Sequence, residues 1–286
     1  MASLTETHRE RDSSFSFGRN WQRYVSDFLT PEREAAARES LRELLATDLE
    51  GKVFLDIGAG SGLFSLAAYR LGAREVVSMD VDPASVACCR RLHAQAGAPE
   101  GWSVIEGSIL DDDLVERLPE ADVVYSWGVL HHTGDMAGAL RHAASRVKPG
   151  GLFCIAIYNR VSGRVVNSDR WRQVKRAYNR ASPRTQLVMR GLHRLYWSTY
   201  RLARLARLAM AGRNPVGAVR NHRPPRGMAR TTDLLDWLGG YPYEFATADE
   251  IVYLCERQLG FELVNVVAVE PHQIGNNEFV FRRPLR

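Results

Sequence analysis

The chain has 286 residues, 45% apolar and 25% charged, with a formal charge of +5. That size and composition suit one large α/β domain with an elaboration, or two small domains. They exclude a transmembrane helix, since no run reaches about eighteen apolar residues. The polar start (MASLTETHRERDSSFSFGRN) lacks the apolar core of a signal peptide, so none is expected, and the four cysteines (Cys88, Cys89, Cys154, Cys255) show no framework spacing. Reduced, buried thiols in a cytoplasmic protein are expected.

The charge is unevenly spread. Between Arg160 and Arg230 lie 18 of the 38 Lys and Arg residues but only one acid, Asp169, so the remainder carries a net −12. Genome bias accounts for arginine over lysine, but not for the clustering.

In chain order, Thr30 and Pro31 open a predicted helix over 31–47, with Thr30 as N-cap. Before it, residues 15–24 (FSFGRNWQRY) are unusually aromatic, and Trp21 reads as part of a lid or of a helix packed on the body. From residue 52 apolar runs alternate with helical segments. Strands are predicted at 52–57, 75–80, 102–106, 122–126 and 151–158, and helices at 61–71, 83–96, 111–118 and 135–147. Continuous apolar strands alternating with helices imply a parallel sheet covered on both faces. After Asn159 a basic, mostly helical segment runs to about 230. A helix at 247–259 and strands at 261–269 and 277–283 complete the chain. The domain reading is a lid and helix over 1–48, a core over 49–159, an Arg-rich helical insertion over 160–240, and a C-terminal completion over 241–286.

The most informative stretch is VFLDIGAGSGL, residues 53–63: a strand, glycines at every second position, then a helix. Glycine lets backbone approach a ligand closely, and the helix start presents free N–H groups. The spacing D-x-G-x-G-x-G differs from the G-x-G-x-x-G of dinucleotide binders. The second strand ends at Asp80, where a carboxylate accepts both hydroxyl protons of a ribose. The third ends before Ser108 and Ile109, a polar and an apolar residue suited to an adenine edge and face, with Asp111 as an alternative contact. The fourth runs into Trp127, then Leu130-His131-His132.

In that order and spacing these motifs resemble class I S-adenosylmethionine (SAM)-dependent methyltransferases, especially the group near the ubiquinone and menaquinone enzymes (type 11/12 methyltransferase domains). The resemblance covers residues 50–160 well and the C-terminal elements more loosely. It implies a Rossmann-like, doubly wound seven-stranded sheet with its last strand antiparallel and a helical cap inserted after strand five. It implies SAM as cofactor, with Asp56, Gly58, Ala59, Gly60 and Gly62 around the methionine part, Asp80 and Val81 at the ribose, Ser108 and Ile109 at the adenine, and Trp127 near the amino-acid end.

For chemistry, His131 and His132 are the candidate general bases, against a structural role that recurs across the family. Trp21, Tyr158, Asn159, Tyr241 and Tyr243 are the candidate acceptor contacts. No Asp/Asn cluster suggests a metal, and no Asn-Pro-Pro-Tyr-like motif suggests methylation of nucleic-acid amino groups. The expected activity is methyl transfer to O or N of a small-molecule acceptor in specialised metabolism, with neither nucleic acid nor stable membrane insertion. Three rivals remain: attack at another sulfonium carbon (aminocarboxypropyl transfer, or cyclisation releasing methylthioadenosine), an RNA methyltransferase using the Arg block, and a non-catalytic SAM-binding scaffold. Leu202, Leu205 and Leu208, alternating with Arg201, Arg204 and Arg207 beside Tyr196, Trp197 and Tyr200, are expected to pack over the acceptor pocket as a cap, with a membrane-surface helix and a phosphate- or nucleic-acid-binding face as the other readings.

Overall fold

A computed structural model describes residues 30–163, 167–212, 238–270 and 272–285. Trp21, the aromatic leader and residues 213–237 of the insertion lie outside them. Helix α1 (Pro31–Leu45) starts at Thr30, whose side chain makes no cap bond, so Pro31 and the acids Glu32 and Glu34 mark the start instead. Then follow β1 (Val53–Ile57), α2 (Leu63–Arg70), β2 (Glu75–Asp80), α3 (Pro83–Gln95), β3 (Trp102–Glu106), α4 (Asp112–Arg117), β4 (Ala121–Trp127), α5 (Met136–Ser145) and β5 (Val147–Tyr158). The insertion contributes α6 (Ser168–Arg180) and α7 (Pro183–Met210). The chain closes with α8 (Ala248–Tyr253), a π-helical turn (Leu254–Gln258), β6 (Glu262–Val267) and β7 (Asn276–Arg282).

The seven strands form one sheet in the order β3-β2-β1-β4-β5-β7-β6. Strands β1 to β5 pair in parallel, and β7 runs antiparallel to both β5 and β6. One apolar cluster, with Leu55, Ile57, Leu140, Phe153 and Phe279, fills one face; another, with Leu41, Phe54, Leu66, Leu92 and Tyr125, fills the other. This two-sided burial is why β1 and β4 read as unbroken apolar runs. The strand order reverses beside β1, so β1 and β4 open a crevice at their C-terminal ends, where open α/β sheets bind ligands. All four cysteines are free and buried.

The insertion docks through its first helix. Helix α6 is docked: Tyr178 and Lys175 are buried, and Asn179 Nδ2 donates to Gly239 O at 2.7 Å. Helix α7 packs on α6 through Arg190 Nε, which donates to the Tyr178 hydroxyl at 2.7 Å. Of the leucines named for the cap, Leu202 is exposed while Leu205 and Leu208 are half-buried; Leu187, Leu192 and Leu195, earlier on the same helix, are exposed. Only the His193–Trp197 face of α7 turns inward, because a single helix hairpin presents one face to the body and leaves the other outward.

Candidate functional site

The glycine loop joins β1 to α2, and Gly58, Gly60 and Gly62 all have φ between +57° and +80°. Side chains are strained in that region. At Gly58 a Cβ would also run into the Val129 side chain, and at Gly62 it would meet Cys89 Sγ at 2.6 Å. The loop is clamped to β2, since the Gly58 and Ala59 amides donate to Met79 O at 2.7 and 3.0 Å. Gly60 N donates to Asp80 Oδ2 and Asp82 N to Asp80 Oδ1, each at 2.9 Å. One carboxylate therefore holds the loop and the start of α3 together. Its remaining lone pairs are available to ribose hydroxyls, because each oxygen accepts more than one hydrogen bond. Burial pushes the Asp80 carboxyl up to about 6, although the two backbone amides pull the other way.

Behind the loop, Asp56 is buried and accepts from Ser65 Oγ at 2.5 Å. Ser78 Oγ donates to Ser65 Oγ at 2.7 Å, and Trp102 Nε1 donates to Ser78 Oγ at 2.8 Å. Burial raises the Asp56 carboxyl to about 7, against the Ser65 bond that lowers it. Neither Ser65 nor this chain of donors was read from the sequence, because a serine inside a helix carries no motif. At the third strand, Ser108 Oγ accepts from Leu110 N at 3.1 Å, and Ile109 belongs to the core. Asp111, the alternative adenine contact, instead caps α4 by accepting from Leu114 N. Val81 is exposed just beyond Asp80, and Trp127 is half-buried at the end of β4.

On the same sheet edge lies a second group. His131 is buried, with its ring 4.5 Å from His132 and 4.0 Å from Tyr158. Tyr158 in turn packs 5.2 Å from Tyr243, beside Tyr241 and Phe245. His132 Nδ1 lies 2.6 Å from Pro242 O. A carbonyl only accepts, so Nδ1 carries the proton and Nε2 is the bare nitrogen. Burial lowers both imidazoles, His131 well below its usual value and His132 to about 3, aided in each case by the Lys175 charge. Burial raises the Tyr243 phenol to about 12, so it stays protonated. Asn159 does not face this group. Its Nδ2 donates to Gln273 O at 3.1 Å and its Oδ1 accepts from Asn277 Nδ2 at 3.2 Å, so it ties β5 to the turn before β7.

Lys175 completes the group, and sequence reasoning missed it. Its Nζ sits 4.7 Å from the Tyr243 ring centre and 5.9 Å from that of Tyr158. One signal was present: it is the only lysine among the 18 basic residues of the insertion. Its ammonium sits over the tyrosine rings as a cation on aromatic faces, while Arg160 and Arg172 sit over the neighbouring Phe245 ring.

Residues 29–208 match the family model described as a methyltransferase domain. The chain belongs to this methyltransferase family. Among curated relatives, the ubiquinone biosynthesis O-methyltransferase of Paramagnetospirillum magneticum is 39% identical over 132 residues, 46% of this chain and 50% of that protein. The ribosomal protein L11 methyltransferase of Deinococcus radiodurans is 32% identical over 123 residues, 41% of this chain and 45% of that one. The chain thus spans about half the length of the curated relatives it matches. Among solved structures, magnesium protoporphyrin IX methyltransferase from Synechocystis PCC 6803 with bound SAH superposes with a TM-score of 0.54. That match covers 97% of this chain and 99% of that one at 12% identity, a likeness of fold. Among the described residues no group of His, Cys, Asp and Glu could hold a metal ion.

Proposed function

We propose that this chain transfers a methyl group from SAM to O or N of a small-molecule acceptor, in biosynthesis. One observation carries the reading. The glycine loop with its Asp80 clamp follows β1 and β2, and His131, His132 and Tyr158 follow or end β4 and β5 on the same edge of the sheet, with Tyr243 and Lys175 packed against them. The loop fits the cofactor, because glycine at three positive-φ positions leaves the backbone there open to close approach and Asp80 retains lone pairs for a ribose. When bound, SAM supplies an electrophilic methyl carbon on a sulfonium.

The protein's part is alignment, exclusion of water and charge. The two histidines are weak bases, because burial disfavours their charged forms. They suit orienting an acceptor rather than ionising it. The Lys175 charge beside them favours an acceptor that arrives as an anion, a phenolate or carboxylate, which needs no base. The glycine loop and Asp80 would hold SAM, and the histidines, Tyr158 and Lys175 would hold the acceptor, so that its lone pair could meet the methyl carbon in line with the bond to sulfur.

The test is turnover of the full chain on a panel of phenols, carboxylic acids and amines, with the nucleoside product identified by mass spectrometry. S-adenosylhomocysteine together with a methylated acceptor is expected. Methylthioadenosine, with no methylated product, would transfer the assignment to attack at another sulfonium carbon.

A further inference from the structure

Helix α7 is 28 residues long, about 42 Å at 1.5 Å per residue. At 100° per residue Val188, Leu192, Leu195, Leu202 and Met210 fall within about 40° of one line along it. All five are solvent-exposed, at 61%, 62%, 61%, 66% and 80%. Leu187, 69% exposed, widens the stripe at its start. A run of apolar side chains this long on a monomer's surface marks a contact surface. The opposite face carries Trp197 and His193, which meet each other, and His193 also meets Trp171 of α6. The body therefore takes the aromatic face and leaves the leucine stripe outward.

We propose that α7 lies on an anionic lipid surface, with the leucine stripe in the acyl–headgroup boundary. This goes beyond the methyl-transfer reading and does not depend on it. Charge selects the occupant. The segment 160–230 holds 18 Lys and Arg residues against Asp169 alone, and exposed Arg194 and Arg207 flank the stripe on its two sides. Tyr196, on the Arg207 side, has the amphipathic character of an interfacial aromatic. A second copy of the chain would bring an equal positive charge against the first and repel it. Single-stranded or duplex RNA would use the arginines but has no use for a central stripe of leucines. An anionic bilayer uses both, through apolar insertion and attraction of the flanking charge. Among the described residues no helix is long and apolar enough to cross a membrane, so the contact is peripheral.

The experiment is sedimentation of the full chain with vesicles of phosphatidylcholine alone and of phosphatidylcholine mixed with phosphatidylglycerol. Binding to the mixed vesicles, weakened by high salt, is expected. The triple variant Leu192→Asp, Leu195→Asp, Leu202→Asp should lower partitioning at least about tenfold while circular dichroism and SAM affinity stay unchanged. These side chains contact solvent, so folding should be spared. The variant Arg184→Glu, Arg194→Glu, Arg207→Glu provides a second reading and should lose the preference for anionic vesicles. Three results would overturn the proposal: no sedimentation with either vesicle; self-association in ultracentrifugation that the leucine variant abolishes; or binding of an RNA oligonucleotide, unchanged in the leucine variant, without vesicle binding.

Discussion

Ser65 Oγ donates to Asp56 Oδ2 at 2.5 Å inside the core, where Asp56 is only 2% exposed. The bond joins the end of β1 to the first turns of α2 and so sets the angle at which the glycine loop leaves the sheet. Replacing Ser65 with Ala leaves a buried carboxylate without that donor. A stability loss on the order of 1–3 kcal/mol is expected, read by chemical denaturation at neutral pH.

The same carboxyl makes stability depend on pH. Its folded value, about 7, lies above the unfolded one, so between about pH 4 and 7 the native state binds more protons than the unfolded chain. This group's contribution is therefore favourable at low pH and is lost as pH rises through about 7. The variant Asp56→Asn, which cannot ionise, should flatten the decline in unfolding free energy across that window. An unchanged slope would assign the decline to other groups.

Asp80 should control cofactor affinity. Asp80→Ala removes two charge-assisted acceptors from a ribose, a loss on the order of 2–4 kcal/mol in SAM binding by calorimetry. With its carboxyl pushed up to about 6, wild-type affinity should fall as pH drops below that value, since a protonated acid accepts one hydroxyl less well. Asp80→Asn should bind weakly at every pH.

The glycine loop offers a steric test. Gly58→Ala combines a positive φ with collision against Val129, and SAM binding should be nearly abolished. Adding Val129→Ala removes the two closest contacts, with the Cγ methyls, but leaves residue 129 Cβ at 2.8 Å and the backbone strain, about 1–2 kcal/mol. Partial recovery in the double variant is the expected result; full recovery would mean that φ at this position carries no penalty.

Lys175→Met tests the charge beside the histidines. The His132 ring should titrate higher than about 3, because one of the two influences lowering it is gone, and nuclear magnetic resonance of the ring protons reads this directly. SAM affinity should stay within about twofold, since Lys175 lies apart from the glycine loop. The KM for an anionic acceptor should rise more than kcat falls.

Much of this was written locally. Unbroken apolar strands, alternate-position glycines and a strand-end Asp80 depend on backbone rules and burial that act over a few residues, so the sheet and the place of Asp80 beside the glycine loop were legible, though not its bond to Gly60 N. The helix caps were less legible: Thr30, the one cap named, makes no side-chain bond, whereas Asp82, Asp111, Asp135 and Thr247, not named as caps, each accept from a backbone amide of the first turn. The sequence by itself thus determined the strand and helix succession and the residues of the cofactor loop.

What it left open needed distant segments brought together. The proton on His132 is placed by Pro242, 110 residues away, and its affinity for a second proton is suppressed by burial and by Lys175. Asn159 looked like an acceptor contact until its amide was seen bound to Gln273 and Asn277. The outward turn of the α7 leucines was also undecided, because an amphipathic helix has two faces and its sequence does not say which one the body will take. Tertiary structure decides such matters because desolvation, charge and hydrogen-bond partnership are properties of neighbours in space, and the neighbours of His132, Asn159 and α7 are remote in the chain.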